Sequence, residues 1–492
     1  MKIKLFVMGF MIVSCVAAYG ADAQDYTTPD SWSKTITASG IKASSGGMDL
    51  GKSGTLSLGL TTRYQLKITE DMTNSKGYQY FRARLSDTEL GDGSLAINLN
   101  MRVGVDFNMD RDNPREYYVF YDGLDVEAGG KNAAYRLYMA NIALDDVIKD
   151  MTLVLGRQYL DNLGQYKIDG IDLGYGFFDD KLMVRAFYGL PVSYYSNLKT
   201  QVVGGGIDIK LFNDMTRIRA EYSYFISDKE NVEKNANVLR GRLDQRVFFA
   251  NVYGEIDQIE KATFYAVGAD GLIDKTGTGF SLYLNGQYDR NDSDLNPYIA
   301  YFDDVAGNQS QYLMWGVQLY QGITPYFMVG AGFESRFNYD ESYADRDYYR
   351  IYGNVDFINL FFRDNFISVI ADYYIVPSYE NNEDASKFLI GGRMTQGVTD
   401  SVNMWLGVNV ADYRYKSNPI YINPAFSDNL IDYEYSEKTE STTDAYIGAD
   451  WSVYDWLMLQ ADYTYSVTNI FNTYDSDFDS CHTVALWANL VW

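Results

Sequence analysis

Residues 95–108 read LAINLNMRVGVDFN, and their alternation decides the fold. Leu95, Ile97, Leu99, Met101, Val103, Val105 and Phe107 interleave with Ala96, Asn98, Asn100, Arg102, Gly104, Asp106 and Asn108. Successive side chains of an extended chain point to opposite faces, so this segment has one apolar wall and one polar wall. A helix would need apolar residues three and four apart. The run is also long. Ordinary globular strands have about 5 to 6 residues, whereas a tilted strand that crosses a bilayer needs about 9 to 11.

The same pattern recurs along the chain. Leu56, Leu58, Leu60, Thr62, Tyr64, Leu66 and Ile68 oppose Ser57, Gly59, Thr61, Arg63, Gln65 and Lys67. Ile218, Ala220, Tyr222, Tyr224 and Ile226 oppose Arg217, Arg219, Glu221 and Ser223. Val402 to Val410 and Leu457 to Tyr465 repeat it. A soluble sandwich also alternates, but it hides its apolar face between two sheets and has no need of strands so uniformly long. Tyr64, Phe107, Tyr224 and Tyr465, at the ends of runs, fit the aromatic girdles of membrane interfaces. The composition agrees: 45 Tyr, 26 Phe and 42 Gly against 8 Pro read as long strands and tight turns. The mean hydropathy of −0.26 looks soluble, but a strand with one wet and one oily wall averages to neutral.

Several classes of function are disfavoured. With 41 Lys and Arg against 66 Asp and Glu, the net charge is −25, which repels nucleic-acid phosphate. Cys15 and Cys481 are the only cysteines, too few for a disulfide framework. His482 is the only histidine, so no multi-His metal site is possible and one imidazole base exists at most. Cys481 and His482 are strand neighbours on opposite faces and cannot easily chelate one ion. His482 falls on the apolar side, away from any Ser or Asp it could activate. No CxxCH occurs, so the chain attaches no c-type haem. The expectation is therefore a protein that is not an enzyme, with no catalytic residues, no cofactor and no bound metal.

Residues 1–23 carry Lys2 and Lys4, a short apolar core from Leu5 to Val13, and the small-x-small site Ala21-Asp22-Ala23. This is the pattern of a cleaved Sec signal peptide. Ile12-Val13-Ser14-Cys15 also resembles a lipobox, which would instead lipidate Cys15. No later stretch approaches 18 consecutive apolar residues, so no transmembrane helix is expected. Residues 24–55, rich in Ser, Thr and Gly, read as a periplasmic leader or partial plug. Residues 56–492 read as the barrel.

Val484, Leu486, Ala488, Leu490 and Trp492 alternate to an aromatic terminus. This resembles the C-terminal strand signal of bacterial outer-membrane proteins, with Trp where Phe is commoner. The resemblance implies a Gram-negative outer-membrane β-barrel that engages the barrel-assembly machinery through Leu490 and Trp492 and sits among outer-membrane lipid and lipopolysaccharide. Gly156-Arg157-Gln158 followed by Ile168-Asp169-Gly170-Ile171-Asp172 resembles a segment of porin-like and alginate-export-like barrels. That likeness implies a loop folded into the pore, at 160–169 or at 110–133.

The fold expected is all-β: a closed antiparallel transmembrane barrel of 20 to 22 strands, with 22 favoured. Nine strands are read before residue 228 and nine from 311 onward. Between them lie strands near 245–256, 262–272 and 279–289, and a fourth at 296–302 with Pro297 at its start. Both chain ends on one rim demand an even total. Links at 110–133, 228–244 and 416–442 read as long extracellular loops. Their carboxylates, among them Asp112, Glu116, Asp428 and Glu434, either bind Ca²⁺ or Mg²⁺ that bridges to lipopolysaccharide or simply keep the loops hydrated.

The polar walls suggest a lumen. The early strands contribute Arg63, Arg82, Arg84, Arg102, Arg136, Arg185, Arg217 and Arg219. The later ones contribute Asp356, Asp372, Asp450 and Asp462, against Arg350, Lys387 and Arg393. These charges either form a basic wall facing an acidic one or pair locally and merely wet the surface. The function expected is a porin, a channel for diffusion of small hydrophilic solutes or ions, with a weak cation preference from acidic vestibules. The alternative is a scaffold that sheathes a multihaem cytochrome in an electron conduit. The oligomeric state is left open.

Overall fold

The computed structural model describes residues 48–49, 54–69, 73–107, 133–160, 163, 166–192, 200–227, 235–289, 311–339, 347–377, 385–417, 436–472 and 476–491. The signal peptide and most of the 24–55 segment lie outside these residues. Of that segment Met48–Asp49 (β1), paired with the start of the next strand, and residues 54–55 are described.

The chain then runs through β2 (Thr55–Thr69), β3 (Thr73–Leu90), β4 (Gly93–Asp106), β5 (Ala133–Asp145), β6 (Met151–Tyr159), β7 (Lys167–Phe177), β8 (Leu182–Pro191), β9 (Thr200–Leu211), β10 (Thr216–Ser227), β11 (Ala236–Val247) and β12 (Ala250–Ile259). The second half comprises β13 (Ala262–Ile273), β14 (Thr278–Tyr288), β15 (Tyr312–Thr324), β16 (Phe327–Asn338), β17 (Tyr348–Ile358), β18 (Asn365–Val376), β19 (Ala385–Thr399), β20 (Val402–Ser417), β21 (Ser436–Tyr454), β22 (Leu457–Asn472) and β23 (Ser476–Val491). Each strand from β2 onward pairs antiparallel with its sequence neighbours. The last closes on the first, with Leu490 of β23 opposite Leu60 of β2 and Leu457 of β22. Strands β2–β23 thus form one closed barrel of 22. Closure satisfies every edge, which is what a sheet needs in a medium that offers no hydrogen bonds. The shortest of these strands, β6, has 9 residues and the longest, β21, has 19.

The total of 22 arises differently from the sequence reading. Residues 236–244, read as part of a loop, belong to β11, and the single strand read at 245–256 is the end of β11 plus most of β12. Arg240, Arg242, Asp244 and Arg246 break up the apolar run there, so a polar wall resembles a link. The two-residue turn Phe248-Phe249 carries no Gly, Asn or Pro to mark it. The fourth strand placed at 296–302 lies outside the described residues and is not needed for the even count. The link read as 416–442 is shorter, because β20 runs to Ser417 and β21 begins at Ser436. The carboxylates of the 110–133 link lie outside the described residues.

One rim carries only short turns, from Gly91-Asp92 to Asp455-Trp456, and there β2 begins and β23 ends. In the turns 178–181 and 212–215, three successive residues take left-handed backbone angles: Phe178, Asp179 and Asp180, then Phe212, Asn213 and Asp214. Asp and Asn tolerate that region, whereas Phe does so at a cost.

The two faces of the sheet differ in exposure. Leu239 (52%), Val267 (52%), Leu319 (52%) and Leu406 (53%) stand open on the apolar face. Glu221, Arg240, Asp356 and Asp372 are buried on the polar one. This is the reverse of a water-soluble fold.

Candidate functional site

The polar face has two regions of different construction. The first spans β7–β12 and carries the link between β6 and β7. That link occupies 160–166, because β7 starts at Lys167 and not at Gly170 as read from the sequence. The Leu160 N–H donates to the Tyr166 carbonyl at 2.8 Å, closing the link on itself. Leu160 and Tyr166 are buried with Ile168, Phe187, Val202, Phe225, Ala236, Val238 and Ile259 in one apolar cluster. The Tyr166 ring meets Phe225 edge-on at 5.4 Å and Phe187 at 6.3 Å. Arg240 fixes the arrangement. Its guanidinium lies 5.2 Å over the Tyr166 ring, donates to the Leu163 carbonyl at 3.1 Å, and stands 3.7 Å from Asp257. Burial raises the Tyr166 phenol above its ordinary pKa, while the Arg240 charge opposes that shift. A small cleft remains between link and wall, lined by Leu160, Leu163, Asp172, Arg185, Phe187 and Glu221. Leu160, Leu163 and Tyr166, the described residues of that link, lie against the polar face.

The charges of this region cancel in place. Arg217 makes a two-pronged pair with Asp208, its Nε at 3.0 and 2.9 Å from the two carboxylate oxygens. Arg219 reaches Asp244 at 3.1 Å, and Arg242 bonds Asp244 and Glu255 at 2.8 and 2.9 Å. Arg185 lies 3.9 Å from Asp172. A buried charge is costly unless paired, and here the partners lie directly opposite (Arg242–Glu255), diagonally on the adjacent strand (Arg217–Asp208, Arg219–Asp244, Arg185–Asp172) or two residues along the same strand (Arg242–Asp244).

The second region, β2–β5, is built on rings. Arg63 lies 5.2 Å over Trp487 and donates to Gln65 at 3.3 Å. Arg102 lies 5.3 Å over Tyr78, and Arg136 4.9 Å over Tyr138. A ring face attracts a cation without neutralising it. Arg82 and Arg84 are exposed, with no hydrogen bond or ion pair among the described residues.

The acidic positions read from the sequence separate likewise. Asp372 is paired with Arg350 at 2.7 Å. Asp356 accepts from Ser368 at 2.6 Å and Asn354 at 2.5 Å. Asp450 accepts from Asn403 at 3.0 Å, and Asp462 from Gln460 at 3.2 Å. Asp450, Gln460, Trp487 and Arg63 share one row of strand pairing. Closure of β23 onto β2 therefore brings the carboxylates of β21 and β22 near Arg63, the one arginine of β2. A sequence order that sets them far apart does not make them opposed walls.

Sequence reasoning missed Arg240, Tyr166 and the carboxylates Asp208, Asp244 and Glu334. Glu334 accepts from Tyr348 at 2.5 Å and also from Tyr283. Asp208 and Glu334 did sit on the polar parity of their strands, and that signal would have found them. His482 lies on the apolar parity, bonded to the Tyr463 hydroxyl at 2.8 Å. Among the described residues no cluster of His, Cys, Asp and Glu could hold a metal. Trp492 lies outside the described residues.

No family model matches the chain, and no curated protein does. Among solved structures it is similar to Pseudomonas aeruginosa OccK11 (OpdR), with 12% identity and a TM-score of 0.41 over 89% of this chain and 96% of that one. It is similar to the outer membrane protein opdK from Pseudomonas aeruginosa, with 11% identity and a TM-score of 0.41 over 89% and 99%. The P pilus usher (PapC) translocation pore gives 9% identity and a TM-score of 0.43 over 89% and 99%.

Proposed function

We infer that this protein is an outer-membrane channel that lets small hydrophilic solutes or ions diffuse through a polar lumen narrowed by the 160–166 link. The observation that carries the reading is the inverted exposure of a closed barrel. Side chains diverge on the convex side of a cylinder and converge on the concave side. The open apolar set then belongs outside, against lipid, and the crowded polar set belongs inside, against water. Twenty-two strands enclose a lumen that wall side chains alone do not fill, and a link docked on the polar face narrows it on one side. The residues read as pore-lining from the sequence, Arg63, Arg82, Arg84, Arg102, Arg136, Arg185, Arg217, Arg219, Asp356, Asp372, Asp450 and Asp462, then line the lumen. Of these, Arg63, Arg82, Arg84, Asp356, Asp450 and Asp462 have no oppositely charged side chain at ion-pair distance among the described residues, and they add a net field to it. No observation favours the cytochrome sheath over the channel.

The test is reconstitution of the purified protein into a planar bilayer in KCl. Discrete conductance steps are expected. A folded barrel, verified by its heat-dependent gel mobility, that leaves the bilayer electrically silent refutes the channel.

A further inference from the structure

The rim of short turns carries an apolar edge that the channel reading does not use. Three successive hairpins, β7–β8, β9–β10 and β11–β12, each open their turn on a phenylalanine: Phe178, Phe212 and Phe248. Each takes a left-handed backbone angle, with φ of 58°, 54° and 52°. That region suits Gly, Asn and Asp and is costly for a residue with a bulky ring. Each ring is nevertheless left open, at 76%, 76% and 89% exposure. Val147 and Ile148 stand exposed in the β5–β6 turn, and Phe249 beside Phe248. A contiguous exposed apolar patch marks a surface that something covers.

The turns form one edge. The Gly176 N–H donates to the Asp150 carbonyl at 2.8 Å, that of Lys210 to Lys181 at 2.8 Å, that of Arg246 to Met215 at 2.7 Å and that of Leu272 to Phe249 at 3.2 Å, so each turn is tied to the strand that follows it around the rim. Neighbouring tips, two strands apart, are spaced by about 10 Å. The edge also continues the apolar face. The Phe178 ring lies 6.5 Å from Phe177, which lies 4.7 Å from Tyr175 on the parity of Ile171 and Leu173. Phe249 meets Phe280 edge-on at 6.1 Å, on the parity of Leu282 and Leu284. The β3–β4 turn differs: it is Gly91-Asp92, both exposed, with no ring.

Position and charge decide what covers this edge. In bacterial outer-membrane barrels the short turns face the periplasm, so the layer beside them is the headgroup region of the inner leaflet. Rings set at that boundary leave water while their polar neighbours stay hydrated. The four turns, residues 146–150, 178–181, 212–215 and 248–249, hold Asp146, Asp150, Asp179, Asp180 and Asp214 against Lys149 and Lys181. A net negative edge is repelled by anionic headgroups and attracted by ammonium groups. We propose that the rim from β5 to β12 is a phospholipid-binding edge, its rings seated at the headgroup boundary and its aspartates selecting phosphatidylethanolamine over phosphatidylglycerol. A girdle ring on a strand marks only the depth of the wall, whereas this edge adds a headgroup preference. The proposal rests on the apolar face being the lipid face, as the channel reading does.

The purified protein is refolded into phosphatidylethanolamine and phosphatidylcholine vesicles whose chains carry bromine near the headgroup or at mid-chain. Phe212→Trp, Phe248→Trp, Asp92→Trp and Leu319→Trp serve as probes, with the parent emission subtracted. Bromine near the headgroup is expected to quench the Phe212→Trp and Phe248→Trp probes, and bromine at mid-chain the Leu319→Trp probe. Acrylamide on both sides of the membrane quenches the Asp92→Trp probe. In detergent with equimolar phosphatidylethanolamine and phosphatidylglycerol, the barrel is expected to retain the former roughly threefold over the latter. Asp146→Asn, Asp179→Asn and Asp214→Asn together make the two lipids equal, and Asn tolerates the same backbone angles, so the turns persist. Two outcomes overturn the edge: Phe212→Trp and Phe248→Trp probes as open to acrylamide as the Asp92→Trp probe, or a lipid ratio that is even in the parent or unchanged in the Asn variant. A Leu319→Trp probe that bromine quenches at neither depth sinks the lipid-face reading as well, so the two failures are told apart.

Discussion

The walls formed by β8–β12 and by β2–β3 use the same residue types to opposite ends. On β8–β12 arginines and carboxylates alternate across strands, so that Arg217 meets Asp208 and Arg219 and Arg242 share Asp244. Their fields cancel within one strand spacing, and the apolar cluster around Phe225 lies further along the same strands. On β2–β3, Arg63 rests on Trp487 while Arg82 and Arg84 stand open. Among the described residues no ion pair cancels their charge. Paired charges hold a wall together and say little to a passing ion. Uncancelled ones set the local potential and hold little in place.

The comparison can be broken most forcefully at Phe225. It is 1% exposed, beneath the Tyr166 ring, so Phe225→Ala should cost about 3–5 kcal/mol. A lowered urea midpoint of the folded barrel would show it, together with a larger single-channel conductance as the link loosens. An unchanged midpoint would mean that the cluster is not packed as described.

Two glycines sharpen the contrast at smaller scale. A Cβ at Gly204 of β9 would meet the Phe187 ring at 2.4 Å and the Tyr222 carbonyl at 2.6 Å, whereas one at Gly59 of β2 finds nothing nearer than 3.6 Å. Gly204→Ala should therefore cost about 1–3 kcal/mol, and Gly59→Ala should leave the same midpoint in place.

Selectivity provides the next measure. Arg82→Gln with Arg84→Gln removes two uncancelled charges and should move the KCl reversal potential toward cations, by roughly twofold in permeability ratio. Arg217→Gln with Asp208→Asn removes a cancelled pair and should leave it where it was. A reversal potential that responds equally to both would erase the distinction between the walls. The smallest effect belongs to Arg363→Gln at the short-turn rim. Arg363 and Asp364 are both exposed, and the change should stay within about 0.5 kcal/mol.

Much of this barrel was legible in the chain because period-two alternation is a local property. Leu95 to Asn108 showed both walls of β4 before any partner was known. The same rule failed at β11, where Arg240, Arg242 and Asp244 made a strand look like a link, and at the Phe248-Phe249 turn, which has none of the usual turn residues. The candidate site was legible as a set of polar-face residues. Its pairing was not, because Arg219 chooses Asp244 through the register of β10 with β11, across 25 positions of sequence.

What the sequence determined by itself was the two-faced character of each strand, since side-chain direction in an extended chain depends only on the parity of position. What only the tertiary structure decided was which charges survive. Closure of β23 onto β2, and the registers along the way, set the distances between side chains on different strands. Coulomb energy depends on those distances, and no local pattern contains them.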